Sequence, residues 1–291
     1  MHEFNGPDFI IIGAMKCATT TLHEQLALQN GFFMTDKITE PSFFSDDHIY
    51  KRGIAWYHSL FSQRGKAFIC GESSTNYTKL PDLPHAVERM KLHLPDVKLI
   101  YIMRQPMDRL VSHYIHDWSE RKITQSIDHA VDSYPALINY GKYAMQLAPY
   151  LDAYGKEKIL PVLFERLIAE PADELQRIFQ FLGCTGQGHW HEDEAPRNAS
   201  KDRLKKSVIR DALVDNPAAK WIRRAFIPQS IRDRVKSWYQ LRERPIIGVA
   251  QKARLESIFD DDLAVLGRQL GVPLTCRSWK AIAAASPARW A

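Results

Sequence analysis

The chain has 291 residues, 45% of them hydrophobic, which is enough to bury the core of one large or two modest domains and excludes a disordered composition. Its 39 basic residues against 34 acidic ones leave a formal charge of +5, a mild surplus that suits an anionic small molecule and gives no basis for a nucleic-acid partner. The four cysteines (Cys17, Cys70, Cys184, Cys276) form no CxxC pair and have no metal-ligand spacing, so free thiols in a reducing compartment are expected.

In chain order, the first expected element is an apolar strand at Phe9–Gly13. Its apolar run is too short for a signal peptide, and no window approaches the roughly 20 apolar residues of a membrane span. A soluble cytoplasmic protein without a membrane span is the expectation. Further strands are expected at 67–70, 98–103 and 159–164, where branched and aromatic residues cluster. Helical periodicity fills 20–29, 84–94, 106–118, 140–154 and 172–182, with Gly183 placed as a C-cap. Strands alternating with helices predict an α/β fold around a central parallel sheet. After about residue 185 the chain turns polar and basic, and helical spacing returns at 255–270. The C-terminal third therefore reads as helices and a basic loop packed on the same domain.

Two segments carry chemistry. After the first strand comes Gly13-Ala14-Met15-Lys16-Cys17-Ala18-Thr19-Thr20-Thr21-Leu22. A strand turning tightly into a hydroxyl-rich helix start cradles phosphate-like anions, because backbone N–H groups and the helix dipole point at the ligand. Lys16 adds a cation. A P-loop NTPase would need Gly directly before Lys and Lys directly before Ser or Thr; here Lys16 precedes the threonines by three positions, which disfavours magnesium-dependent nucleotide hydrolysis. The second segment is Met103-Arg104-Gln105-Pro106, with Ser112 eight residues after Arg104. Arg104 ends a strand at the carboxyl edge where open α/β sheets bind ligands, and a guanidinium with a hydroxyl can grip a phosphate.

Together these segments resemble the sulfotransferases that use 3′-phosphoadenosine 5′-phosphosulfate (PAPS). Residues 13–22 are similar to the family's 5′-phosphosulfate loop, Gly-x-x-Lys-x-Gly-Thr-Thr-x-Leu. Arg104, Pro106 and Ser112 are similar to its 3′-phosphate motif. Further likeness lies in Val162-Leu163-Phe164-Glu165-Arg166-Leu167 and Phe181-Leu182-Gly183. Glu40-Pro41-Ser42-Phe43-Phe44, Gly53-Ile54-Ala55-Trp56-Tyr57, Gly71-Glu72-Ser73-Ser74-Thr75-Asn76-Tyr77 and Gly141-Lys142-Tyr143 resemble the heparan-sulfate-type and related bacterial carbohydrate enzymes. The resemblance implies a P-loop-like, three-layer α/β fold with a helical C-terminal third. It fits a single domain over 1–291, with a core at about 8–185 and C-terminal helices and a basic loop at about 186–291.

The resemblance also implies roles. Lys16 would neutralise charge on the bridging oxygen as sulfate leaves 3′,5′-ADP, and Glu40 would take the proton of a sugar or small-molecule alcohol, or of an amine. Lys16, Cys17, Ala18, Thr19, Thr20 and Thr21 would hold the 5′-phosphate, Arg104 and Ser112 the 3′-phosphate. This chemistry requires no metal. His113 and His116 are rival bases, since the cytosolic aryl and steroid branch uses a histidine. Phe44 and Trp56 read either as an acceptor platform or as core, and His48 and His58 flank the acceptor segment as candidate ligands. Two departures stand out. Ala18 replaces a loop glycine, which is tolerable only at negative φ, and Ser73 stands where the glycosaminoglycan enzymes commonly carry Lys. Lys201 and Arg203 are the nearest counterparts of a C-terminal phosphate clamp. The acceptor remains open between carbohydrate and a lipid or polyketide alcohol. A small-molecule kinase and a non-catalytic nucleotide-binding protein are the competing classes.

Overall fold

Four successive side chains of strand β1 (Phe9–Gly13), Phe9 to Ile12, are fully buried, as a strand covered on both faces requires. Each such burial contributes about 1.5–3 kcal/mol. The computed structural model describes residues 6–192 and 244–291, apart from 37, 66 and 68. Around β1 lies a five-stranded sheet in the order β2-β3-β1-β4-β5, with β2 at Phe32–Met34, β3 at Ile69–Ser73, β4 at Lys98–Met103 and β5 at Ile159–Leu163. Every pairing is parallel. All strands therefore end at the same edge, and the loops that follow them meet there.

Helices α1 (Thr19–Ala27), α4 (Ala86–His93), α5 (Pro106–Ser119) and α8 (Tyr143–Tyr154) connect or cover the strands. Short helices α2 (Asp47–Tyr50) and α3 (Ile54–Ser59) lie between β2 and β3; α6 (Ile127–Ser133) and α7 (Ala136–Asn139) lie between α5 and α8. After β5 come α9 (Phe164–Ala169) and α10 (Pro171–Leu182). The start of α5 is encoded locally. Pro106 occupies its first turn, and the Gln105 side chain accepts from the Asp108 amide at 2.7 Å. Helix α10 buries Leu175, Ile178, Phe179 and Leu182 on one face and stops at Gly183, whose φ of 86° is left-handed as expected.

The C-terminal helices α11 (Val249–Leu270) and α12 (Trp279–Ala285) join the same core. Leu255, Phe259, Leu263, Leu266 and Leu270 form the buried stripe of α11. Its Asp262 accepts from the Ala144 and Met145 amides at 2.9 and 3.0 Å, capping the start of α8. Burial pushes that carboxyl up, against the pull of the amides.

Strands β1 and β4 fall at their expected boundaries. The strand expected at 67–70 instead runs Ile69–Ser73, because the polar Glu72 and Ser73 continue it. The one expected at 159–164 stops at Leu163, and Phe164 opens α9. Among the described residues, no helix is long and apolar enough to cross a membrane.

Candidate functional site

The loop after β1 is held against the end of β4. The Ala14 amide donates to the Ile102 carbonyl at 2.8 Å, and Gly13, at φ 151°, leaves no room for a side chain: a Cβ there would lie 2.1 Å from the Thr78 hydroxyl. Lys16 and Ala18 both take left-handed backbone, at φ 70° and 65°. This turns the chain sharply into α1, whose N-cap residue Ala18 offers no side-chain acceptor. The first amides of a helix have no partner within it, so the Thr19–Thr21 end of α1 is open to an external anion. Thr19 and Thr21 are buried and Thr20 is partly exposed.

Positive φ at Ala18 corrects the expectation that this residue escapes the left-handed region. An L-residue there costs about 1–2 kcal/mol relative to right-handed backbone. The expected result for Ala18→Gly is a gain of about 1 kcal/mol in unfolding free energy, measured by denaturant titration. Cys17 is also corrected in part. Its thiol is fully buried and 4.0 Å from the Tyr143 hydroxyl, burial pushes it up to about 11, and its amide donates to the Ala14 carbonyl at 3.2 Å. Cys17 therefore shapes the loop from below, with neither group aimed at a ligand.

Arg104 stands one residue beyond β4, with Nη1 3.5 Å from the Lys16 carbonyl. Its guanidinium lies 4.4 Å from the centre of the Phe164 ring, and among the described residues its buried Nε has no hydrogen-bond partner. The first helix start and this guanidinium thus share one corner of the sheet. Ser112 lies two turns along α5 and is almost fully covered.

Sequence reasoning assigned no role to the residues that set Arg104. The Tyr143 hydroxyl donates to the Arg104 carbonyl at 2.6 Å and lies 3.2 Å from the Arg104 amide. Glu165 accepts from the Gln105 amide at 2.9 Å and from Trp279 Nε1 at 2.7 Å, while Gln105 Nε2 donates to the Cys276 carbonyl at 3.1 Å. The end of β4 is thereby fastened to α8, α9 and α12. The only sequence signals were the Gly-x-Tyr match at Tyr143 and the Glu of the 162–167 stretch.

On the other side of β1 a 3-10 turn, Thr75–Thr78, follows β3. Its Thr78 hydroxyl donates to the Ile12 carbonyl at 2.8 Å, and the Ser74 amide to the Ile11 carbonyl at 3.0 Å. Glu40, exposed on its loop, accepts from the Thr75 hydroxyl at 3.0 Å and from the Thr75 amide at 3.4 Å. The carboxylate is therefore carried on a turn bonded to the last residues of β1, where the anion loop begins. Lys79 closes this turn. Burial lowers its ammonium, and the Glu40 charge raises it.

The remaining acceptor-side expectations change. Phe44 is fully buried between Phe43, Tyr57 and Tyr77, so it is core rather than platform. Trp56 is half-buried, with the Arg52 guanidinium 3.9 Å over its ring and Phe43 beside it. Ser73 is buried and its hydroxyl pairs with His23 Nδ1 at 2.9 Å, which removes it from any surface. His58 is beside Gly6 and Leu94, at the amino edge of the sheet, opposite the loop. His48 is exposed on α2, whose Tyr50 bonds His93 in the last turn of α4 at 2.8 Å. Neither histidine is tied to the anion loop. His113 is buried, stacked on Tyr140 and 3.2 Å from Asp117, so it packs α5. Lys201 and Arg203 lie outside the described residues.

A fully buried carboxylate, Glu72, completes this side. Tyr57, Tyr77 and Ser74 donate to it at 3.1, 2.8 and 2.8 Å, and burial still pushes it up to about 7. His23 and His113 move oppositely, burial lowering both to about 4. A histidine lowered in the fold stabilises it above the unfolded pKa, and this is lost as pH falls from 6.5 toward 4, by about 3 kcal/mol each. Raised Glu72 has the reverse sign, stabilising the fold as pH falls from 7 toward 4.5, by about 3 kcal/mol. Net stability should drop across this window. His113→Gln should flatten the drop in a pH series of denaturant midpoints, whatever its effect at neutral pH.

The geometry defines a class: an α/β protein with a tight strand-to-helix loop ending in an uncapped helix start, and an arginine at the end of the neighbouring strand. The chain belongs to the sulfotransferase domain family, whose model matches residues 6–260. Over 186 residues, 61% of this chain and 46% of the relative, it is 32% identical to heparan sulfate glucosamine 3-O-sulfotransferase 3B1 of Mus musculus. Over 207 residues, 64% of this chain and 23% of the relative, it is 29% identical to the human bifunctional heparan sulfate N-deacetylase/N-sulfotransferase 1. The chain spans about half the length, or less, of these curated relatives. Its fold is similar to that of a sulfotransferase from Alicyclobacillus acidocaldarius, with a TM-score of 0.66 at 22% identity over 94% of this chain and 98% of that one. Mouse SULT7A1, solved in complex with PAP, is similar at a TM-score of 0.50 and 15% identity, over 97% of this chain and 91% of that one.

Proposed function

We propose that this chain transfers the sulfuryl group of PAPS to a hydroxyl, or an amine, of a carbohydrate acceptor and releases 3′,5′-ADP. The observation that carries the reading is the meeting of the Arg104 guanidinium with the backbone carbonyl of Lys16, which brings that cation to the loop and its uncapped helix start at one corner of the sheet. The open Thr19–Thr21 amides suit the 5′-phosphate, and the Arg104 guanidinium, whose Nε has no partner among the described residues, suits the 3′-phosphate. PAP bound to a relative of the same fold supports that choice of nucleotide.

In the transfer, the bond from sulfur to the bridging oxygen of the phosphosulfate breaks as the acceptor oxygen bonds to sulfur. The acceptor proton goes to Glu40, and Lys16 neutralises the charge left on the bridging oxygen. Little covalent help from protein is needed; positioning and charge stabilisation supply the rate. Glu40→Gln should keep 3′,5′-ADP affinity by calorimetry within about twofold and lower kcat roughly a hundredfold or more, the range of general-base contributions.

Relatives named for glucosamine 3-O- and N-sulfation favour a sugar acceptor. One observation favours a less anionic one: the Ser73 hydroxyl is buried against His23 where the glycosaminoglycan enzymes carry a lysine. A lipid or polyketide alcohol is therefore the second reading. The test is a screen of labelled PAPS with heparan-type oligosaccharides, simple sugars, lipid alcohols and phenols, read by mass spectrometry, with ATP as a parallel donor. Phosphoryl transfer from ATP would make the protein a kinase, and binding of 3′,5′-ADP without any transfer would make it a binder.

A single domain fits the chain, because Asp262, Cys276 and Trp279 of the C-terminal segment bond to residues 144, 105 and 165 of the core. Four unpaired thiols support a reducing, cytoplasmic setting.

A further inference from the structure

Glu72 is the least expected group near the site: a carboxylate with no exposed surface, at the end of β3, in a pocket made of hydroxyls. Three donors converge on it. Tyr57 of α3 and Tyr77 of the 3-10 turn share Oε1, while Ser74 takes Oε2. The Ser74 hydroxyl has a second task, because its oxygen accepts from the Ser42 amide at 3.0 Å. Ser42, at φ 53°, is two residues beyond Glu40, and its own hydroxyl accepts from Asn76 Nδ2 at 3.0 Å. Thr75, the neighbour of Ser74, holds the Glu40 carboxylate.

We infer that Glu72 is a positioning residue for Glu40: it orients the Ser74 hydroxyl, and Ser74 in turn fixes the Ser42 amide and the loop that presents the base. The link itself is a statement about this fold; its effect on turnover rests on the sulfotransferase reading. A hydroxyl that donates to a carboxylate has its lone pairs aimed elsewhere, and here they meet the Ser42 amide. If Oε2 carries a proton it must donate, and the natural recipient is the same Ser74 oxygen. The Ser74 hydrogen then turns away, and the Ser74 oxygen, now accepting from both Glu72 and Ser42 and no longer polarised by donating to a carboxylate, holds the Ser42 amide more weakly. A carboxyl at this position gives the base loop an ordered form when ionised and a looser form when protonated.

The groups facing Glu72 are Tyr57 from α3, Tyr77 from the 3-10 turn, Glu40 from its loop and, at longer range, Tyr150 of α8. Both near tyrosines stay protonated, since burial and the Glu72 charge push them far up. The titrating group is therefore Glu72, whose pKa of about 7 places the change near neutrality. Glu40 adds to the upward push through its own charge.

The experiment has two readouts on the full chain. Hydrogen exchange of the segment containing Ser42, at pH 8, tests the link without any reaction. Glu72→Gln and Ser74→Ala should each speed exchange there, while both retain 3′,5′-ADP affinity within about twofold of the parent by calorimetry. Unchanged exchange in Ser74→Ala overturns the inference, as does a loss of 3′,5′-ADP affinity as large as any loss of turnover. Sulfation of heparan sulfate oligosaccharides with PAPS, followed from pH 5.5 to 9, tests the consequence. The parent should lose kcat as pH falls through about 7. Glu72→Gln, resembling the protonated form, should have kcat lowered roughly tenfold at pH 8 and no such limb. Tyr57→Phe removes one donor to the carboxylate and should move the limb to higher pH. A limb that stays in place in Tyr57→Phe, or parental kcat in Glu72→Gln, also overturns it. A parent without sulfation of any acceptor would instead sink the functional reading while the exchange result still decides the link.

Discussion

Lys16→Ala should lower kcat for sulfuryl transfer about a thousandfold while 3′,5′-ADP still binds, because in the proposed transfer the ammonium acts where charge develops as the phosphosulfate bond breaks. On the same reading, the 5′-phosphate of the product is held by the helix start and its threonines. Loss of affinity should therefore be small beside the loss of rate. The loop itself should persist in the variant, since an alanine is already tolerated in left-handed backbone two positions on, at Ala18, and the Ala14–Ile102 bond involves only backbone. Single-turnover kinetics with labelled PAPS separate the two effects. A variant that transfers sulfate at more than a tenth of the parental rate would move the charge-stabilising role elsewhere.

Arg104→Ala should act on binding instead. Losing a forked guanidinium from a phosphate removes charge-assisted bonds worth about 3 kcal/mol, or roughly a hundredfold in Kd for 3′,5′-ADP. Because the proposed target is the 3′-phosphate, affinity for 5′-AMP should change little, and that contrast is the diagnostic measurement. The variant should fold, since Tyr143 holds the Arg104 backbone rather than its side chain. Arg104→Lys should fall between the two, keeping charge without the planar fork. Equal losses for 3′,5′-ADP and 5′-AMP would place the guanidinium somewhere other than at the ribose end.

The corner that joins these two residues was legible because both follow buried apolar strands. Phe9–Gly13 and Lys98–Met103 are runs that periodicity detects, and parallel neighbours must end at one edge. β2 escaped because three residues, Phe32–Met34, leave no periodicity to read. The end of β3 escaped because Glu72 looks like a turn residue until the hydroxyls of Tyr57 and Tyr77, distant or offset in sequence, are brought to it. Aromatic residues misled in the other direction. Phe44 had the composition of a binding platform, yet edge-on and tilted packing against Phe43, Tyr57 and Tyr77 was the stronger demand. The fastening of Arg104 by Tyr143 and Glu165 spans 39 residues to one partner and, through Gln105, 60 to the other, distances over which a single sequence carries no pairing signal.

The strand order places β1 as a watershed. On one flank, β4 and β5 with the C-terminal helices brace the Arg104 backbone; on the other, β3, its 3-10 turn and the loop of residue 40 carry Glu40, the proposed base. Helix α8 joins the two flanks as well: its Tyr143 holds the Arg104 carbonyl, while its Tyr150 donates to the Tyr77 carbonyl at 2.6 Å and its Gln146 pairs with the Leu80 backbone at 2.8 and 2.9 Å. A substitution near residues 77–80 can therefore be felt at Arg104 through this helix, so on the proposed reading acceptor choice and donor grip are mechanically coupled.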